Sequence, residues 1–225
     1  MFRFITTILI ATFLFSCSTQ NPNPNNSNNN SVTDVDGNVY PTVQICNQVW
    51  TAKNLNVSHY RNGDVIPHIT NLNDWFFSTN GGWCWYNNDS ANYSQYGKLY
   101  NCYAVMDSRG LAPSGFHIPT DAEWGILVSC LGGSSMAGGA LKETGFTHWN
   151  GPNIGATNSS GFNAFAAGYN VGNAFADNGI RCYWWSTDHD GAGHASLWGC
   201  YYYNANMGKA MLSQNVGASV RLIKD

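Results

Sequence analysis

Apolar residues at Trp124, Leu127, Val128 and Leu131 fall with the spacing of one face of an α-helix. The flanking residues bound that helix. Thr120 offers a hydroxyl as N-cap, and Glu123, three positions on, can complete a capping box. Pro119 bars helix upstream, and Gly132-Gly133 end it downstream. A second, shorter helical stretch is predicted near Met136 to Thr144. Elsewhere the apolar period is two. Asp36-Gly37 lies between β-branched residues, and Thr42–Ile45 and Gln48–Thr51 flank Cys46-Asn47, so two hairpins open the folded part. Tyr183–Thr187, Ala195–Tyr203, Lys209–Ser213 and Ser219–Ile223 are predicted strands of a terminal antiparallel sheet, with Asn204–Gly208 as a turn. The middle, Asn56 to Tyr96, is rich in Asn, Gly and Trp and reads as irregular.

Before the first hairpin the pattern changes. Arg3 precedes an apolar run from Phe4 to Phe15, too short to span a bilayer and suited to a signal-peptide core. Leu14-Phe15-Ser16-Cys17 resembles a bacterial lipobox, which makes residues 1–17 a lipoprotein signal peptide and Cys17 the lipidated residue. An ordinary secretory signal with a chance cysteine is the alternative. Ser18 stands where an aspartate would favour inner-membrane retention, so an outer-membrane lipoprotein is expected, facing either the periplasm or the cell surface. Residues 18–31, STQNPNPNNSNNNS, carry no large apolar side chain and cannot offset their ordering entropy by burial, so they read as a tether. Residues 32–225 then form one domain.

Composition narrows the function classes. Ten Lys and Arg against thirteen Asp and Glu leave a net charge of −3, without the basic clustering that a nucleic-acid surface needs. Cys17 aside, six cysteines remain, an even set for an oxidising compartment. Cys84 with Cys102 and Cys182 with Cys200 are the expected disulfides, each closing a moderate loop, while Cys130, near the apolar stripe, reads as a buried free thiol. No zinc-site spacing, nucleophile elbow, zinc-protease helix or phosphate-binding glycine loop is found, so no metal, cofactor or catalytic residue is assigned.

Several ordered blocks carry a family resemblance: DVDGNVYPTVQICNQVWTAKNLN (Asp34–Asn56), YGKLYNCYAV (Tyr96–Val105), LAPSGFHIPTDAEWGILVSCLGG (Leu111–Gly133), the run Ala137–Asn170, YWWST (Tyr183–Thr187) and SVRLIKD (Ser219–Asp225). Together they resemble the Fibrobacter succinogenes major paralogous domain of Bacteroidetes lipoproteins. The resemblance implies an α+β, C-type-lectin-like or formylglycine-generating-enzyme-like single domain: a small antiparallel sheet, two short helices and long loops. It implies no particular activity. The family usually has Gly where Cys46 stands, Trp where Cys102 and Phe116 stand, and Cys where Leu222 stands, so a family disulfide through that last position cannot form here. Trp50, Trp124, Trp184 and Trp185 lie in these blocks and are expected in the core.

The strongest binding candidate is DHDGAGHASLWGCYYYNAN, Asp188 to Asn206. Strand alternation sends Trp198, Cys200 and Tyr202 to one face and Gly199, Tyr201 and Tyr203 to the other. At least one aromatic set should then meet solvent or a loop, and burial of both sets is the alternative. Asp188, His189, His194, Trp198, Tyr201, Tyr203 and Asn204 are therefore the candidate ligand-binding residues. Asp188, His189, Asp190 and His194 could hold a transition metal, but without metal-site spacing they read as solvated loop residues. Gly151-Pro152-Asn153 imitates a lectin calcium tripeptide without its first side-chain ligand and reads as a loop. The expectation is a lipid-anchored, non-catalytic envelope module that attaches to the membrane through its lipid and binds a glycan or a protein. A purely structural lipoprotein and, by fold analogy, an oxidase-like enzyme are the alternatives.

Overall fold

The computed structural model describes residues 31–225; the signal peptide, Cys17 and all but the last residue of the tether lie outside them. The described residues open with β1 (Ser31–Thr33), β2 (Val39–Ile45) and β3 (Gln48–Thr51), an antiparallel meander through the two predicted turns. Next come α1 (Leu72–Phe77), β4 (Trp83–Cys84), α2 (Ser90–Tyr93), β5 (Leu99–Tyr100), α3 (Cys102–Val105), β6 (Phe116–His117), α4 (Asp121–Cys130) and α5 (Ala137–Leu141). The last third holds β7 (Ala167–Asn170), β8 (Phe175–Asn178), β9 (Arg181–His189), β10 (His194–Tyr201), β11 (Met207–Ser213) and β12 (Ile223–Lys224).

These strands make two five-stranded sheets, β1-β2-β3-β12-β6 and β11-β10-β9-β7-β8, and a two-stranded ribbon of β4 and β5. The domain is α+β, but it is not built on one small sheet with two helices. Of the additional strands, β4, β5, β6 and β12 are two residues each, too short to show a period, and β7 and β8 are four residues each; tertiary contacts set their pairing. The additional helices α1, α2 and α3 start at Asn71, Asp89 and Asn101, whose side chains accept from backbone N–H groups of the first turn. Those caps stand in or beside the stretch that reads as irregular.

The second sheet is buried on both faces at its centre. Along β9, Tyr183 and Trp185 pack with Ala195, Leu197 and Val220 on one side. Cys182 and Trp184 pack with Trp50, Trp124, Leu127 and Phe162 on the other. Both indoles are satisfied: Trp184 Nε1 donates to Asn54 Oδ1 at 2.9 Å and Trp185 Nε1 to the Tyr100 carbonyl at 2.7 Å. Helix α4 buries Trp124, Leu127 and Val128 against the second of these clusters, and Thr120 and Glu123 close a capping box at its start.

Ser219–Ile223 does not extend the terminal sheet. It belongs to a buried segment that crosses from one sheet to the other, and its backbone bonds alternate between them. Ser219 N donates to the Tyr183 carbonyl and Trp185 N to the Ser219 carbonyl, while Leu55 N and Thr51 N donate to the Val220 and Leu222 carbonyls. Only β12 is regular strand, and it sits between β3 and β6 in the first sheet.

The cysteines pair differently from the sequence expectation. Cys46 and Cys130 form a disulfide, with Cα atoms 6.7 Å apart, joining the β2–β3 turn to the end of α4. Cys130 lies on the exposed flank of the helix rather than on its apolar stripe. Cys46 occupies the first turn position with φ 51°, a left-handed conformation that explains why glycine is usual there. Cys84, Cys102, Cys182 and Cys200 are buried free thiols. Cys84 packs with Trp75 and Leu99 while Cys102 belongs to the large cluster around Tyr100, so their side chains lie in different clusters. Cys182 and Cys200 are direct cross-strand partners, yet each sulfur turns elsewhere: Cys182 Sγ toward the Cys200 carbonyl at 3.9 Å, Cys200 Sγ toward Met207 Sδ at 3.3 Å.

Candidate functional site

The residues from Asp188 to Asn206 do not form one surface. They occupy both ends of the β9–β10 arm, separated by the eight residues of β10, about 25 Å of extended chain. At one end, Asp188 Oδ2 accepts from the backbone N–H of Asp121 at 2.7 Å, a carboxylate at the start of α4 where unpaired N–H groups favour negative charge. Asp190 closes the hairpin loop on itself, accepting from Ala192 N, His194 N and the His194 ring. Backbone hydrogen bonds from Ala192 and His194 hold the Asp190 carboxyl below its ordinary range. His189 is exposed opposite Ala195. Among the described residues no group of three or more His, Cys, Asp or Glu is arranged to hold a metal ion. Asn153, of the lectin-like tripeptide, spends its amide on the Glu143 and Gly145 carbonyls as a loop clamp.

Midway along β10, Trp198 faces the second cluster and donates Nε1 to Asp121 Oδ1 at 2.8 Å. Asp121 also accepts from Ser196 Oγ and pairs with Lys209, so it ties β10 and β11 to α4. Burial pushes the Asp121 carboxyl up, and these donors outweigh it to leave the group below its ordinary value. Trp198 is thus committed to packing, on the face opposite Tyr201.

At the other end Tyr201, Tyr203 and Asn204 do come together. They line a shallow concavity of about 470 Å³ with Ser134, Ser135 and Asn206. Tyr201 is half-buried, with its hydroxyl 3.1 Å from that of Tyr183 and the Arg181 guanidinium 4.8 Å from its ring centre. Burial and the Tyr183 hydroxyl raise its phenol well above the ordinary value, so it stays protonated. Tyr203 is 50% exposed and lies 5.4 Å from Tyr201, ring centre to ring centre. Asn204 Oδ1 accepts from Asn206 N at 2.9 Å, which turns the loop and leaves the Asn204 Nδ2 donors without a partner among the described residues. No carboxylate lines this concavity.

What holds this end was not apparent from spacing. Helix α5, Ala-Gly-Gly-Ala-Leu, runs against the 204–207 turn, with Gly139 N donating to the Ala205 carbonyl at 3.0 Å. A side chain at Gly138 would collide with the Asn206 carbonyl, so this approach requires glycine. Lys142, fully buried just past the helix, donates to the carbonyls of Tyr201, Asn204 and Ile154 at 2.8–2.9 Å. Burial pulls its ammonium below the ordinary lysine value. Three carbonyl oxygens satisfy the three donors of one ammonium, and they fix both ends of the Tyr201–Asn204 segment. The Gly-Gly pair and the lysine were visible only as part of a family block.

The described part of the chain is thus an α+β domain with a rigidly braced aromatic and amide surface. It belongs to the Fibrobacter succinogenes major domain family, whose model matches residues 43–224. Comparison with the curated proteins and with the solved structures gives no match.

Proposed function

We propose that this protein is a non-catalytic binding module of the cell envelope, C-type-lectin-like in fold and held to the outer membrane by a lipid on Cys17. It takes a glycan on the surface formed by Tyr201, Tyr203 and Asn204. One observation carries the reading: Tyr203 stands half-exposed beside a Tyr201 ring already fixed by Arg181 and Tyr183, among amide and hydroxyl groups. Such a surface offers a sugar ring a flat apolar face and a rim of donors and acceptors, at little entropic cost to the protein. His189 and His194 are left to the opposite tip and have no part in it.

The non-catalytic part rests on the state of the nucleophiles. Burial pushes the Cys84 thiol up to about 12 and the Cys102 thiol up to about 11, and raises the Cys200 thiol well above its ordinary value. None of these supplies the thiolate on which an oxidase-like reaction at a reactive cysteine depends. The envelope location rests on the Leu14–Cys17 motif, and the surface-exposed Cys46–Cys130 bridge suits an oxidising compartment.

The test is a glycan array probed with the domain and with Tyr203→Ala, each checked for thermal unfolding. A glycan bound by the wild type should lose at least about 1 kcal/mol of binding on Tyr203→Ala if that ring is a central contact, with unchanged melting. Binding lost only in step with unfolding, or binding of envelope proteins but no glycan, would contradict the reading.

A further inference from the structure

A second cleft, which shares no lining residue with the Tyr201 surface, lies where the first hairpin meets the crossing segment. It measures about 380 Å³, within the range of small-molecule sites (about 300–1,000 Å³), and is more enclosed than the Tyr201 concavity. Its chemistry is distinctive in charge. Lys53 and Arg221 line it, and no Asp or Glu does.

Arg221 is 1% exposed, and every partner it has is neutral: Asn54 Oδ1 and the carbonyls of Thr51, Phe162 and Asn163, at 2.7–3.0 Å. A guanidinium carries five N–H donors, and these contacts account for four. Burial without an acid partner pulls it down to about 9, so it remains charged at neutral pH. Lys53 stands exposed at the rim, with no ion pair among the described residues. The carboxylates that bond to lining residues are already engaged: Asp34 accepts from Tyr40 and Asn38, and Glu143 pairs with His148 Nδ1 at 2.7 Å. A buried positive charge without a counter-ion, beneath an open cleft, leaves a field that favours an anion there.

The rest of the lining favours a polyhydroxylated ligand. Phe165 presents a half-buried ring with His148 stacked on it at 3.8 Å, a preformed flat platform. His148 Nε2 and Asn163 Nδ2 have no partners among the described residues: with Nδ1–H given to Glu143, Nε2 of the neutral ring can accept from a hydroxyl, and Asn163 Nδ2 can donate. Asn56 Oδ1 is buried without any hydrogen-bond partner, an acceptor that a ligand hydroxyl would satisfy.

We propose that this cleft is a binding site for a carboxylated sugar of the uronic-acid type, its carboxylate toward Lys53 and Arg221 and its ring on Phe165. The site is independent of the Tyr201 surface, and it stands or falls separately.

The experiment titrates the full chain with methyl β-glucuronide and with the matched neutral probe, methyl β-glucoside, following backbone amide shifts at low and high salt. The expected result is saturable binding of the glucuronide alone, weakened by salt, with shifts centred on Lys53, Asn56, Asn163 and Phe165. Lys53→Glu, a substitution at an exposed position, should weaken glucuronide binding by about thirtyfold at low salt, as two changes of one charge at contact range in water imply. Tyr203→Ala should leave it unchanged. Equal binding of glucoside, no saturable shift with glucuronide at millimolar concentration, or a Lys53→Glu variant that binds as the wild type would each overturn the assignment. A Phe165→Leu variant that keeps its melting point but also keeps full affinity would overturn the platform role.

Discussion

Breaking the Cys46–Cys130 bridge gives the sharpest stability test. The bridge spans 84 residues of sequence, from the first hairpin to the end of α4. The chain-entropy relation for a loop of that length gives about 4.6 kcal/mol of unfolded-state restriction, and measured disulfides more often deliver about 2–4 kcal/mol. Cys130→Ser should therefore lower the unfolding free energy by about 2–4 kcal/mol, because the serine sits on an exposed flank and disturbs no packing. Cys46 adds an internal control. Its φ of 51° suits glycine, so Cys46→Gly should be less destabilising than Cys46→Ala by about 1 kcal/mol, although both lose the bridge. The assay is urea unfolding of the domain from Ser31 onward, oxidised and reduced, alongside the three variants. Thiol titration supplies the count: Cys84, Cys102, Cys182 and Cys200 should be silent in the native protein and react once it is unfolded. A reductant that leaves the wild-type midpoint unchanged would refute the reasoning. So would one that further destabilises Cys130→Ser, since another disulfide would then have to exist.

Three other expectations follow from separate parts of the molecule. Trp124 is fully buried, 4.6 Å from Trp50 and 5.9 Å from Trp184 by ring centres, so Trp124→Ala should cost about 3–5 kcal/mol in urea unfolding; wild-type behaviour would place that ring outside the core. His117 bridges Asp225 and Glu123 at 2.7 and 2.8 Å; burial lowers its imidazolium, but the two carboxylates outweigh this and raise its pKa above 6.5. Its contribution is therefore complete below pH 6.5 and is lost as pH rises through the raised value, so the stability gap between wild type and His117→Gln should narrow from pH 6 to pH 8, and a constant or widening gap would contradict the pairing. Cys17→Ser should release the protein from membranes or leave it unprocessed, which fractionation after a high-salt wash would show; mature protein still bound to membranes would remove the lipid anchor from the account.

The legible parts of the fold were those with a local cause. Thr120, Glu123 and the Trp124–Leu127–Val128 face define α4 from neighbouring residues alone, and the turns at Gly37 and Cys46 do the same for the first hairpins. Non-local pairing was hidden. Two-residue strands such as β4 and β12 carry no period, and the buried run Ser219–Ile223 reads as a strand of the terminal sheet because it alternates and is extended, although its partners belong to two sheets. Disulfide pairing failed for the same reason: loop length along the chain says nothing about which faces Cys46 and Cys130 share. In the candidate site, alternation correctly grouped Tyr201 with Tyr203 and apart from Trp198. It could not reveal that Asp188 serves the start of α4, or that Lys142 and two glycines brace the Tyr201–Asn204 segment from a distant helix.

The most direct test of recognition at the Tyr201 surface is to map backbone amide shifts of the domain on titration with an envelope polysaccharide digest. Saturating shifts at Tyr201, Tyr203, Asn204 and Ser134, with Asp190 and His194 at the far tip unmoved, are the predicted result. Shifts confined to the far tip, or none in the second sheet and its loops at any concentration, would contradict it.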